Sequence, residues 1–224
     1  MSALLRSAVF ALILAFAAVC VLVGSRPAAA MDFELATLSF DGKCKKHCPD
    51  VMVATGTMDL GTMNGFVTFA QGAAAKGASN VLIIDSPGGH LIEGLRLGLM
   101  LRRLKTTVFV GRVVERNGAM FAVNGSCMSA CVYALMGGRK RFVTLGSLVG
   151  VHREMLPNST GNDPQSVLRS AQRFPKIAAM LVDYSRKMGV DPALIALAEQ
   201  YGAGGIRMLS PEDIARFRLA RVAR

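Results

Sequence analysis

The chain has 224 residues, a formal net charge of +11, 52% hydrophobic residues, 6% aromatic residues, no Trp and five Cys. That length suits one domain with a substantial core and is short for two. The positive balance favours anionic surroundings such as lipid head groups or cell-envelope polymers, while the lack of Trp and the scarcity of aromatics among the cations argue against nucleic acid as a partner.

Residues 1–30 hold one early cation, Arg6, an apolar run from Ala8 to Val23 and the small residues Ala28-Ala29-Ala30. This pattern predicts a secretory signal peptide cleaved after Ala30, and so export to the periplasm. The alternative is an uncleaved anchor, because the uncharged stretch between Arg6 and Arg26 approaches a membrane-spanning length. Cleavage would take 30 of the 224 residues and two of the cations, leaving a domain of residues 31–224 with a net charge of +9.

Four cysteines remain in that domain: Cys44, Cys48, Cys127 and Cys131. An even number in an oxidising compartment suggests disulfides, with three connectivities open. Cys44, His47 and Cys48 could also approach a zinc ion, but they lack a fourth ligand and a second spaced pair, so neither a metal nor a cofactor is expected.

Short apolar or β-branched runs bounded by turns predict strands over 33–40, 51–55, 81–85, 107–110, 141–144 and 148–151. Helical spacing and end signals predict helices over 62–75, 91–104, 130–136, 164–187 and 192–200, with Ser210-Pro211-Glu212-Asp213 opening a last one. Asn117-Gly118 marks a hairpin within 112–123, expected to border the substrate cleft. Residues 157–164 read as a mobile loop, and Pro175 should kink or divide the long helix. Strand and helix alternate through the centre as in βαβ units, so the fold class is α/β, with chemistry expected at the carboxyl ends of the strands.

Two sequence features meet there. The apolar Val81-Leu82-Ile83-Ile84 runs into Asp85-Ser86-Pro87-Gly88-Gly89, and Ser129 lies within Gly125-Ser126-Cys127-Met128-Ser129-Ala130-Cys131, 23 residues before His152. A serine hydroxyl needs a neighbouring base to become a nucleophile, and imidazole titrates near neutral pH. The charge that develops on an attacked carbonyl oxygen needs backbone donors, which Gly88 and Gly89 and the free N–H groups of a helix start can supply. Taken alone, Ser129 is as well read as a helix cap, His152 as a hydrogen-bonded core residue and the Gly pair as an ordinary turn.

From Ile83 to Arg153 the chain resembles the proteolytic subunit of the Clp protease and its exported relatives in the Clp/crotonase superfamily. The matching pieces are Ser86-Pro87-Gly88-Gly89, Ser129, Gly138-Arg139-Lys140-Arg141-Phe142 and Val149-Gly150-Val151-His152, with a looser likeness from Met52 to Ser210-Pro211-Glu212. The resemblance implies a Clp/crotonase-like fold of stacked ββα units and a serine peptidase acting on peptides or protein segments. It makes Ser129 the nucleophile and His152 the base, with the N–H groups of Gly89 and Ala130 as the oxyanion hole. It also implies self-assembly into a homo-oligomer. The family's third triad member is an aspartate where this chain has Ile206, and Asp183, Asp191 and Glu199 stand as candidates to replace it. Lys176 or Lys187 would serve as base in a Ser/Lys variant. The missing aspartate also leaves open a catalytically degenerate binding or assembly module, whereas export argues against acyl-CoA chemistry. The C-terminal Arg216, Arg218, Arg221 and Arg224 could form a membrane-surface patch.

Overall fold

The structure, a computed structural model, describes residues 30–39, 48, 50–154, 164–202 and 205–223, with the backbone alone over 164–174. The leader before Ala30, Cys44, His47 and the loop expected at 157–164, except for Pro164, which opens a helix, lie outside the described residues.

In chain order the elements are strands β1 (Asp32–Thr37) and β2 (Asp50–Thr55), helix α1 (Thr62–Ala75), strand β3 (Val81–Asp85), helix α2 (Leu91–Leu104) and strand β4 (Thr107–Val110). A hairpin of β5 (Arg112–Arg116) and β6 (Ala119–Val123) follows, then β7 (Ser126–Met128), helix α3 (Ala130–Gly137), β8 (Lys140–Thr144) and β9 (Leu148–Val151). Helices α4 (Pro164–Lys187) and α5 (Ala193–Ala198), strand β10 (Arg207–Met208), helix α6 (Pro211–Arg216) and strand β11 (Arg221–Ala223) complete the chain.

The main sheet runs β1-β2-β3-β4-β8-β11, parallel throughout except for the antiparallel β1 at one edge. Its central strands are covered on both faces, which is why their sequences are nearly continuous apolar runs. Met52, Ala54, Leu82, Ile84, Val108 and Val110 point into the core shared with the helices. Val51, Val53 and Ile83 point the other way, into a smaller cluster closed by Val113 and Met120 of the hairpin. A second sheet, β10-β9-β7, stands at the carboxyl end of the first. The parallel bridge between Ser86 and Cys127 joins the two sheets, so the chain leaving β7 passes over the turn that follows β3.

Helix α3 is buried along its whole length. It packs against α2 at a distance only glycine allows: a Cβ on Gly94 would stand 2.4 Å from the Ala130 carbonyl oxygen, one on Gly98 2.6 Å from the Tyr133 carbonyl oxygen, and one on Gly137 2.0 Å from the Gly98 carbonyl oxygen. The Tyr184 hydroxyl of α4 donates to the Tyr133 carbonyl at 2.8 Å and fixes a third helix on the same seam.

Most of the alternation read from the sequence is present, with three differences. Helix α4 continues through Pro175 rather than dividing there. Pro175 is exposed, where solvent can satisfy the carbonyl its missing N–H leaves unpaired, and buried Leu181, Tyr184, Ser185 and Met188 anchor the half that follows. The first strand ends at Thr37, with Leu38 in an isolated bridge to Met120, and Phe40 lies outside the described residues. Strands β7, β10 and β11, of two or three residues each, have no counterpart among the predicted elements because pairing with distant strands creates them.

Candidate active site

Strand β7 delivers the chain to Ser129 and α3 begins one residue later, so the serine occupies a sharp strand-to-helix turn. Its backbone has φ 53 and ψ −123, in the left-handed half of conformational space where a residue with a Cβ is strained. Such strain at a strand–serine–helix turn is how some hydrolases hold a nucleophile out of regular structure. The Ser129 side chain makes no capping hydrogen bond, so the helix-cap reading does not account for the residue. Its N–H donates to the Gly150 carbonyl at 2.9 Å, which ties the turn to β9.

The Gly pair sits directly beneath. Gly88 (φ 98) and Gly89 (φ 133) both adopt conformations that favour glycine. A Cβ on Gly88 would lie 2.5 Å from the Met128 carbonyl oxygen and 2.8 Å from the Ser129 Cβ, so the turn and the serine are in contact. The Met58 N–H donates to the Gly88 carbonyl, and the Met58 carbonyl accepts from the His90 N–H, which pins the turn from its far side. No hydrogen bond among the described residues uses the N–H of Gly89 or of Ala130. Ala130 follows the serine and Gly89 follows the Gly88 that touches it, so both unused donors belong to this turn.

Asp85 organises the entrance to this turn. It is buried, and its carboxylate accepts from Arg112 Nε at 2.6 Å, the Ser126 N–H at 2.7 Å and Ser126 Oγ at 2.9 Å. The end of β3, the hairpin and the start of β7 are thereby locked together. Cys127 and Cys131 are joined in a disulfide whose ring encloses Ser129, and Cys48 is disulfide-bonded as well.

His152 follows β9, half-buried, with Nδ1 2.6 Å from the Arg153 carbonyl oxygen. A carbonyl only accepts, so Nδ1 is the donor in this contact, and the contact leaves Nε2 unengaged. No hydrogen bond joins His152 to Ser129. The Ser129 hydroxyl instead donates to Oε1 of Glu154 at 3.5 Å, a long contact between two buried groups. Burial pushes the Glu154 carboxyl up to about 7, the Ser129 hydrogen bond pulls it down, and the nearby charge of Glu199 adds to the rise. Tyr133, one turn into α3, is also held well above the usual phenol range, by burial first and then by the charges of Glu154 and Glu199.

None of the candidates for a third member is hydrogen-bonded to the His152 ring. Asp183 is exposed and pairs with Arg186, and Asp191 accepts from the Ala193 N–H at the start of α5. Glu199 pairs with Arg153 at 3.2 Å, next to His152 in sequence but not bonded to its ring. Lys176 and Lys187 are exposed. In the antiparallel β9/β10 ladder Arg207 faces Val151 and Met208 faces Gly150, so Ile206 falls one register step further, level with His152. The Ile206 side chain lies over Gly150, where a Cβ would stand 2.5 Å from its Cγ2, and is itself half exposed. His90, next to the Gly pair, has a buried Nδ1 without a hydrogen-bond partner.

The residue that sequence reasoning passed over is Glu154. Its only signal was an acid two residues beyond His152 at the end of an apolar strand, and its burial depends on how the segment after β9 folds back onto α3 and α5, where the Arg153 N–H donates to the Tyr201 carbonyl.

A mixed α/β scaffold with a strained serine over a diglycine turn is a protease-like fold. Among solved structures the chain is similar to the 1510-N membrane-bound stomatin-specific protease, solved as a serine-to-alanine mutant, with a TM-score of 0.51 and 20% identity over 77% of each chain. At that identity the likeness is one of fold. No family model matches the chain, and no curated protein matches it.

Proposed function

We propose that this protein is an exported, ATP-independent serine peptidase on a Clp/crotonase-like scaffold, cleaving peptide bonds through an acyl-enzyme with Ser129 as nucleophile. The observation that carries this reading is the strained, uncapped Ser129 beside the unused N–H groups of Gly89 and Ala130. In the reaction the Ser129 oxygen attacks the carbonyl carbon, the two amides receive the oxyanion, and the segment after β9 takes the hydroxyl proton. That segment offers two acceptors, His152, which the sequence pattern singles out, and Glu154. Export is supported by the Cys127–Cys131 disulfide, since such bonds persist in oxidising compartments. No helix among the described residues is long and apolar enough to cross a membrane. Arg139, Lys140, Arg218 and Arg221 line one basic cleft, which supports association with an anionic membrane surface.

The test is labelling of the folded protein by a fluorophosphonate probe. Wild type should be labelled and Ser129→Ala should not; labelling that persists in Ser129→Ala would refute the assignment. Ile206, level with His152 where a carboxylate would orient the ring, favours a second reading, a binding or assembly module that has lost catalysis. Wild-type protein that is well folded and silent to the probe would support that reading.

A further inference from the structure

The structure assigns the base of this site to Glu154 rather than to His152, in an inference that rests on the serine-hydrolase reading: we propose that the Glu154 carboxylate takes the proton of Ser129 during attack and returns it to the leaving amine. The first ground is contact. Glu154 is the one side chain with which the Ser129 hydroxyl makes a hydrogen bond among the described residues, whereas no hydrogen bond joins the His152 ring to it. The 3.5 Å separation is long for a working proton transfer, as such contacts often are before substrate tightens them.

The second ground is the state of the carboxyl. Glu154 is 4% exposed and makes no ion pair among the described residues, because the neighbouring cation Arg153 is engaged by Glu199. A buried carboxyl without a cation destabilises the fold when ionised, so its presence calls for a reason beyond packing. The groups around it are Ser129 just before α3, Tyr133 within α3, Glu199 with its partner Arg153 at the end of α5, and His152 on its own segment. With burial as the main influence, the carboxyl titrates at about 7, where a group can both accept a proton and give it up.

The steps balance without any further reactant. As Ser129 Oγ bonds to the carbonyl carbon, its proton passes to Glu154 and the carbonyl π pair moves to the oxygen held by the Gly89 and Ala130 amides. Collapse of that intermediate breaks the carbon–nitrogen bond, and Glu154 protonates the departing amine. Water then attacks the acyl-enzyme and gives its proton to Glu154, which passes it to Ser129 Oγ as the ester bond breaks.

The experiment measures fluorophosphonate labelling rates from pH 5 to 9 for wild type, Ser129→Ala, Glu154→Gln, Glu154→Asp and His152→Ala, with folding checked by circular dichroism. Wild type should rise through an inflection near 7. Glu154→Gln should lose that inflection and slow by at least about 100-fold, the lower end for a general base. His152→Ala should keep the inflection and stay within about tenfold of wild type, below that range. Glu154→Asp, which keeps the charge but withdraws it by one methylene, should label slowly with a displaced inflection, and it serves as the test if Glu154→Gln does not fold. The proposal is overturned if Glu154→Gln labels as fast as wild type with the inflection intact, if His152→Ala alone abolishes labelling, or if Glu154→Asp is indistinguishable from wild type. A folded but silent wild type would instead overturn the hydrolase reading, and the role of Glu154 with it.

Discussion

Replacing Gly88 with alanine should disable the site while leaving a folded protein. The new Cβ would stand 2.5 Å from the Met128 carbonyl oxygen, whereas ordinary contact begins at 3.4 Å, so the turn and the end of β7 must part by about 0.9 Å. Ser129 follows Met128 directly, and its own Cβ lies 2.8 Å from the added methyl, so the displacement falls on the serine. A misplacement of that size costs about 100-fold in rate. The φ of 98 adds strain, and together with the overpacking the loss of stability should be about 2–4 kcal/mol. Gly77→Ala is the control: its φ is 73, but a Cβ there meets nothing within 4 Å, so it carries backbone strain without a clash. The assays are urea denaturation and the second-order rate of fluorophosphonate labelling. If Gly88→Ala were labelled at the wild-type rate, or if Gly77→Ala slowed labelling equally, the turn would not be positioning the serine.

The remaining predictions concern the two groups that flank the serine. Glu154 has a folded-state affinity for protons above that of the unfolded chain, so its contribution to stability falls as pH rises from about 4.5 to about 7 and is level beyond. Glu154→Gln should therefore match wild type near pH 4.5 and exceed it by about 3 kcal/mol at pH 8, read from urea midpoints at each pH. A pH-independent difference would show that the carboxyl is not desolvated as the structure has it. Reduction of Cys127–Cys131 opens a five-residue ring and should lower stability by about 2 kcal/mol. Cys127→Ala/Cys131→Ala should reproduce that loss and also slow labelling, since the ring spans Ser129; labelling at the wild-type rate would assign the bridge to stability alone.

Local patterns made much of the scaffold legible. Thr62–Ala75 and Leu91–Leu104 were bounded correctly because apolar spacing and turn residues agree at both ends, and Val81–Asp85 because a strand covered on both faces leaves an unbroken apolar run. The meeting of Ser129 with Gly88 was foreseeable only through the resemblance, since nothing in either segment specifies the Ser86–Cys127 bridge that brings them together. The two-residue strand at Arg207–Met208 has no propensity signal of its own; β9 imposes it, and with it the placement of Ile206 level with His152. Glu154 was illegible for a related reason: sequence marks an acid as exposed by default, and only the return of its segment onto α3 and α5 buries it.

The glycine seam between α2 and α3 has a wider consequence. Because backbone rests on backbone at Gly94, Gly98 and Gly137, the two helices have no side-chain layer to absorb a shift. A change of volume anywhere along this contact, including at Gly137 seven residues from the far end of α3, is passed along a rigid rod to Ser129. The position of the serine turn is therefore set by the thickness of a joint formed from hydrogen atoms, and mutations far from Ser129 can displace it without touching a residue in contact with it.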